Sequence, residues 1–168
     1  GASVFCDATT GASNVAIGFD TMRKYLGPSS NVALGRASLC LGTGGQNNVA
    51  IGSYALTGTA LCTSNENVAI GFNAGRDMCG GDRNVLVGTA AGCKVGHGCF
   101  NVMLGHAAGL TSANVFGSII LGYNTGRNNC GSGGILIGSC AGCGVTGSNS
   151  SNSIFIGGCS GCDITSGT

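Results

Sequence analysis

Charge is the scarcest ingredient of this 168-residue chain: 8% of its residues are Asp, Glu, Lys or Arg, about a third of the usual share. Seven basic against six acidic residues leave a formal net charge of +1. That balance gives no electrostatic footprint for nucleic acid or an anionic lipid surface. Tryptophan is absent and proline occurs once, at Pro28. No apolar run approaches the ~18 residues of a transmembrane helix, so membrane insertion is not expected. The amino-terminal GASVFCDATTG has neither the basic nor the apolar segment of a signal peptide. What is there is apolar and turn-rich. Hydrophobic residues make up 43% of the chain, too many for a disordered one. Glycine fills 34 positions, roughly three times its usual share. Short buried strands joined by tight turns are the expectation.

The chain repeats. The unit N-V-A-I-G begins at Asn14, Asn31, Asn48, Asn67, Asn84, Asn101, Ser118, Gly134 and Ser153, with spacings of 17, 17, 19, 17, 17, 17, 16 and 19 residues. The fifth position is always glycine: Gly18, Gly35, Gly52, Gly71, Gly88, Gly105, Gly122, Gly138 and Gly157. A glycine closing an apolar run marks a corner that needs positive φ or close backbone approach. The second and fourth positions are Val, Ile or Leu, the alternation of a short strand. Three residues past the glycine stands a small residue in every copy, Thr21 through Ser160, expected at a tightly packed interior or interface. A period of 17 is too short for a helix pair or a propeller blade. The fold expected is all-β: a parallel β-solenoid of about nine 16–19-residue coils, with residues 1–13 as a lead-in coil and 14–168 as a single repeat domain. Stacked at ~4.8 Å per coil, it makes a rod roughly 43 Å long. The asparagines at the first position either form a stacked amide ladder or simply begin turns.

The third position points away from the Val/Ile side of the strand. It reads Ala16, Ala33, Ala50, Ala69, then Leu86, Met103, Ile120, Leu136 and Phe155. A solvated face would be polar here, and monomers rarely expose an apolar patch this large. The favoured expectation is an assembly face that packs against another chain, closely at its alanine end and further apart at its bulky end. The alternative is a second internal layer built from the other 12 residues of each coil. No polar cap is evident at either end, so end-to-end or trimeric self-assembly is expected.

The phrases Gln46-Asn47-Asn48-Val49-Ala50-Ile51-Gly52 and Glu66-Asn67-Val68-Ala69-Ile70-Gly71-Phe72-Asn73-Ala74-Gly75 resemble the NNVAIGxNAG repeats of bacteriophage tail fibres and similar surface proteins. More distantly, they resemble the head repeats of trimeric autotransporter adhesins. The likeness runs over about residues 14–161. It implies a structural or adhesive fibre: a homotrimeric or filamentous solenoid, extracellular or on a cell or virion surface, displaying a face to a receptor or glycan. The adhesin head repeat is shorter, and the cysteine content is foreign to the common forms of both families.

Eleven cysteines favour an oxidising compartment. Cys40, Cys93, Cys143 and Cys162 lie five residues past the corner glycine, Cys140 and Cys159 two past it, and Cys79 and Cys130 eight past it. Stacked positions fall within disulfide range, so these eight are candidate disulfide partners; free buried thiols are the second reading. The spacing of Cys140, Cys143, Cys159 and Cys162 formally matches a zinc ribbon, but the repeat itself generates it, so no metal is expected. Cys6, Cys62 and Cys99 stand off these columns, and one of them could link chains.

Catalytic chemistry is thin. The G-x-G-x-x-G at 142–147 lacks the βαβ context of a dinucleotide site, and no cofactor is expected. His97 and His106 sit in corners, and a dyad of Cys99 with His97 has nothing nearby to orient it. Asn149-Ser150-Ser151 is a glycosylation sequon. Charge clusters at Arg23-Lys24-Tyr25 and at Arg76-Asp77 and Asp82-Arg83, which hold six of the thirteen charged residues and where a ligand could bind. An enzyme on a β-helix scaffold would need acid clusters that are missing. An ice-binding solenoid would need a threonine array, and the threonines fill no single column.

Overall fold

The computed structural model describes residues 4, 11–58, 62–112, 114–128, 131–143 and 151–162. Most of the lead-in segment, Cys6, Cys130, the sequon's first two residues and most of the 142–147 glycine motif lie outside them. Eleven strands and no helix occur among the described residues, so none there is long and apolar enough to cross a membrane.

Each repeat contributes one three-residue strand: β1 (Val15–Ile17), β3 (Val32–Leu34), β5 (Val49–Ile51), β6 (Val68–Ile70), β7 (Val85–Val87), β8 (Val102–Leu104), β9 (Ile119–Leu121), β10 (Ile135–Ile137) and β11 (Ile154–Ile156). They form one parallel sheet in that order. Equivalent positions pair directly, Val15 with Val32 and Ala69 with Leu86. The chain is therefore a β-solenoid, making eight full turns between its first and last strands. Two short strands, β2 (Tyr25–Leu26) and β4 (Gly42–Thr43), pair in a second parallel sheet on the early coils.

The corner glycines turn each strand out of the sheet at φ of 117–138°. A Cβ on Gly88 would stand 2.4 Å from the carbonyl oxygen of Gly105 one coil on. The corner therefore needs glycine twice over, for its backbone angle and for the close stacking of neighbouring coils. The residue two past each glycine, Asp20 through Cys159, takes φ of 51–60°, and the chain bends again. The small residue after it is fully buried from Thr21 to Ala141.

The asparagine ladder is real. Asn31 donates its backbone N–H and its Nδ2 to Asn14 Oδ1 (2.9 and 3.2 Å), and Asn48 does the same to Asn31 (2.8 and 3.0 Å). The pattern continues through Asn67, Asn84 and Asn101. Each Nδ2 also donates to a backbone carbonyl such as Gly98 O, 2.8 Å from Asn84. Ser118 and Gly134 extend the column through their backbone N–H groups. From Asn31 to Asn101 these amides are buried, and such burial is tolerable because every donor and acceptor is matched.

The third-position column corrects the sequence reading. Ala33, Ala50, Ala69, Leu86, Met103, Ile120 and Leu136 are completely buried inside the chain's own coil, and Ala16 and Phe155 pack against the same core at its ends. None of these nine forms an outward assembly face. The drift from Ala to bulky residues is volume compensation. Where the strand carries Ala16, Ala33 or Ala50, the position four past the corner glycine carries Met22, Leu39 or Leu56. Where the strand carries Leu86, Met103, Ile120, Leu136 or Phe155, that position is Gly92, Gly109, Gly126, Gly142 or Gly161. A Cβ on Gly109 would lie 2.5 Å from Met103 Sδ, and one on Gly161 2.6 Å from the Phe155 ring. At the changeover, Ala69 and Gly75 are both small, and Leu56 and Leu86 lean in from either side. The interior thus holds a nearly constant volume per coil, as close packing requires.

Candidate assembly face and thiol columns

With the third position inside, alternation turns the second and fourth positions outward. Eighteen side chains result, all Val, Ile or Leu, in two columns across nine strands. None is buried. The end strands are the most open, Val15 and Ile17 at 51% and 59% and Ile154 and Ile156 at 66% each. In the middle of the sheet, Ile70, Val85, Leu104 and Ile119 still stand at 36–39%. At ~4.8 Å per strand and ~6.8 Å between alternate residues, the two columns form a strip about 40 Å long and 12–15 Å wide. No charge or polar side chain interrupts it. Further exposed rings follow the corner glycines in sequence: Phe19, Phe72 and Tyr123. Tyr54 meets Phe72 edge-on at 6.3 Å, and His106 stacks on Tyr123 at 5.3 Å.

The cysteines divide differently from their sequence columns. Cys62 bonds to Cys79 across adjacent coils, with their Cα atoms 4.7 Å apart. Counted back from the next asparagine, both stand five residues before it, ahead of Asn67 and Asn84. The coil from Asn48 carries two extra residues, which fall between Gly52 and Cys62 in the sequence. Counting forward from the glycine therefore hid this pairing, and Cys62 does not link chains.

Cys40, Cys93, Cys99, Cys140, Cys143 and Cys162 carry free thiols. Of the expected disulfide partners, Cys79 is bonded, whereas Cys40, Cys93, Cys140, Cys143 and Cys162 are not joined to one another. Cys143 Sγ meets the carbonyl of Asn124, and Cys162 Sγ meets that of Cys140 at 2.7 Å. Burial pushes the Cys40, Cys93 and Cys143 thiols up in pKa. No group of three or more His, Cys, Asp or Glu among the described residues could hold a metal ion.

The remaining candidates are structural. Cys99 Sγ donates to His97's backbone oxygen and accepts from the Asp82 N–H, both at 3.3 Å, so it makes no dyad with the imidazole. Asp82 Oδ1 in turn accepts from Asn65 N–H at 2.7 Å, part of a second side-chain ladder two residues before the asparagine column. The charged corners close on themselves: Arg83 reaches Glu66 at 2.8 Å, Arg76 reaches Asp77 at 3.2 Å, and Arg23 lies 3.8 Å from Asp20. Tyr25 is buried, its ring packed over Gly42 and Gly45, and its phenol is pushed up to about 12 by burial.

Sequence reasoning missed the aliphatic face because it assigned the inward and outward sides the wrong way round. The strand-to-corner size exchange was the signal that could have oriented them. Compared with family models, curated proteins and solved structures, the chain matches none.

Proposed function

We propose that this chain is a structural rod segment that associates side by side with copies of itself through the aliphatic face of its nine-stranded sheet. In this reading it builds part of a homo-oligomeric fibre outside a cell or on a virion surface. The observation that carries the reading is the unbroken strip of eighteen outward Val, Ile and Leu side chains. Such a strip approaches the ~800 Å2 per partner of a stable interface once flanking rings are added, and monomers rarely leave one uncovered. A second copy is the occupant whose side-chain rows repeat at the same ~4.8 Å pitch, so ridges on one face meet grooves on the other along the whole length. The face has no charge, which gives a polar or ionic partner nothing to hold. The tail-fibre-like repeat and the Cys62–Cys79 bond, typical of oxidising compartments, support the fibre setting. The exposed rings and paired charges at the corners would then stay free for a receptor or glycan. An ice-binding role has no threonine among the outward strand positions to rest on.

The test is a double variant, Ile70→Lys with Leu104→Lys, compared with the parent chain by sedimentation velocity. Both side chains project from the middle of the face, so the fold should survive with an unchanged far-ultraviolet spectrum. Two unpaired charges in an apolar contact oppose association strongly, and the variant should run as a smaller species than the parent. An identical mass distribution for the two would overturn the reading.

A further inference from the structure

The last two described coils carry four cysteines in a grid. Cys140 and Cys159 occupy the position two past the corner glycine, and Cys143 and Cys162 the position five past it. The strands beneath them are paired residue for residue, Ile137 on Ile156. The turns above stay in step, with Gly142 N–H donating to Ser160 O at 2.8 Å and Cys159 N–H to Ser139 O at 2.9 Å. Both thiols five past the glycine point along the stack towards the preceding coil. Cys143 does so to Asn124 O, and Cys162 to Cys140 O. Thr57 repeats this direction with its hydroxyl on Ala37 O, 2.5 Å away. The thiols of one column therefore face along the rod rather than across their own turns. The same solenoid already holds a bond of this kind: Cys62 and Cys79, column mates on adjacent coils, are joined at a Cα separation of 4.7 Å. Stacked coils at that distance meet the geometric requirement of a disulfide.

We propose that Cys143 and Cys162 are an oxidation site, joined coil to coil by a small disulfide oxidant of the glutathione class, and that the bond locks the β11 coil onto the β10 coil. In the reaction the thiolate of one cysteine attacks the oxidant's disulfide, forms a mixed disulfide and releases one glutathione thiol. The thiolate of the other then displaces the second glutathione. One protein S–S bond forms and one oxidant S–S bond breaks. Two protons and two electrons leave the protein thiols for the two glutathione thiols. The lock would act where the sheet ends and Ile154 and Ile156 are the most open strand residues. This inference does not depend on the assembly reading.

The experiment incubates the whole chain with glutathione disulfide, blocks remaining thiols under denaturing conditions, and digests with chymotrypsin. Cleavage after Phe155 separates the fragment holding Cys140 and Cys143 from that holding Cys159 and Cys162. The expected product joins these two fragments until reductant is added. Cys143→Ser abolishes it, and Cys140→Ser and Cys159→Ser retain it. Oxidation should also slow amide exchange in β11 by roughly a hundredfold, the weight of closing a loop of this length. Separate fragments, each lighter by two hydrogens, would mean bonds within the turns and would overturn the proposal. So would four alkylatable thiols, or a cross-link that survives Cys143→Ser.

Discussion

An asparagine in this chain does the work of a backbone group. Asn84 Oδ1 accepts from both the N–H and the Nδ2 of Asn101, each at 3.0 Å, while its own Nδ2 donates to Asn67 Oδ1 and Gly98 O. Asn84→Ala leaves those buried partners unmatched and should lower stability by about 3 kcal/mol or more, read from urea unfolding. Asn84→Asp keeps the acceptor but sets a buried carboxylate against two oxygens. It should be worse at neutral pH and partly recover on acidification, when the protonated acid can donate again. If the two variants behaved alike and cost less than ~1 kcal/mol, the ladder would be ornamental. The column itself was plain in the sequence, and its role was not. An asparagine that begins a turn and one that bonds its neighbours along the stack occupy the same position, and only the inter-coil distances separate them.

Among the elements, the strands were legible and the loops between them less so. Period-2 aliphatic residues closed by glycine located all nine long strands, Val15–Ile17 to Ile154–Ile156. The short pair β2 and β4 was not visible, because Tyr25-Leu26 and Gly42-Thr43 share no pattern. Tyr25 lies there because Gly42 and Gly45 leave room for its ring. That burial has a pH consequence. The phenol is neutral in the fold and its pKa is raised to about 12 from its ordinary 10. The unfolded chain therefore loses this proton first as pH rises, so stability should hold below about pH 10 and fall between about 10 and 12. Absorbance at 295 nm should show one of the three tyrosines ionising only near pH 12, and Tyr25→Phe should remove that late step. If the late step persisted in Tyr25→Phe, the assignment would be wrong. The cysteines show the same limit of sequence reading. Cys79 was a candidate partner and Cys62 was not, because two inserted residues shift Cys62 when it is counted from one corner and not from the other.

For the whole molecule, the sequence announced a rod but left its sides ambiguous. Both faces of every strand are apolar, so alternation alone cannot choose between them. The choice lies in volume. A coil of 17 residues encloses little space, and the column opposite the corner must trade size with it, as Ala33 does with Leu39 and Met103 with Gly109. The Val, Ile and Leu columns make no such exchange, and they are the ones left outside. The rod thus carries a continuous aliphatic side that the described residues do not cover, and a second copy is the proposed occupant. Sedimentation equilibrium of the unmodified chain over a range of concentrations tests this most directly. Self-association gives a mass that is a multiple of 16.3 kDa and that falls towards the single-chain value on dilution or on charging the face. A single species of 16.3 kDa at every concentration would contradict it.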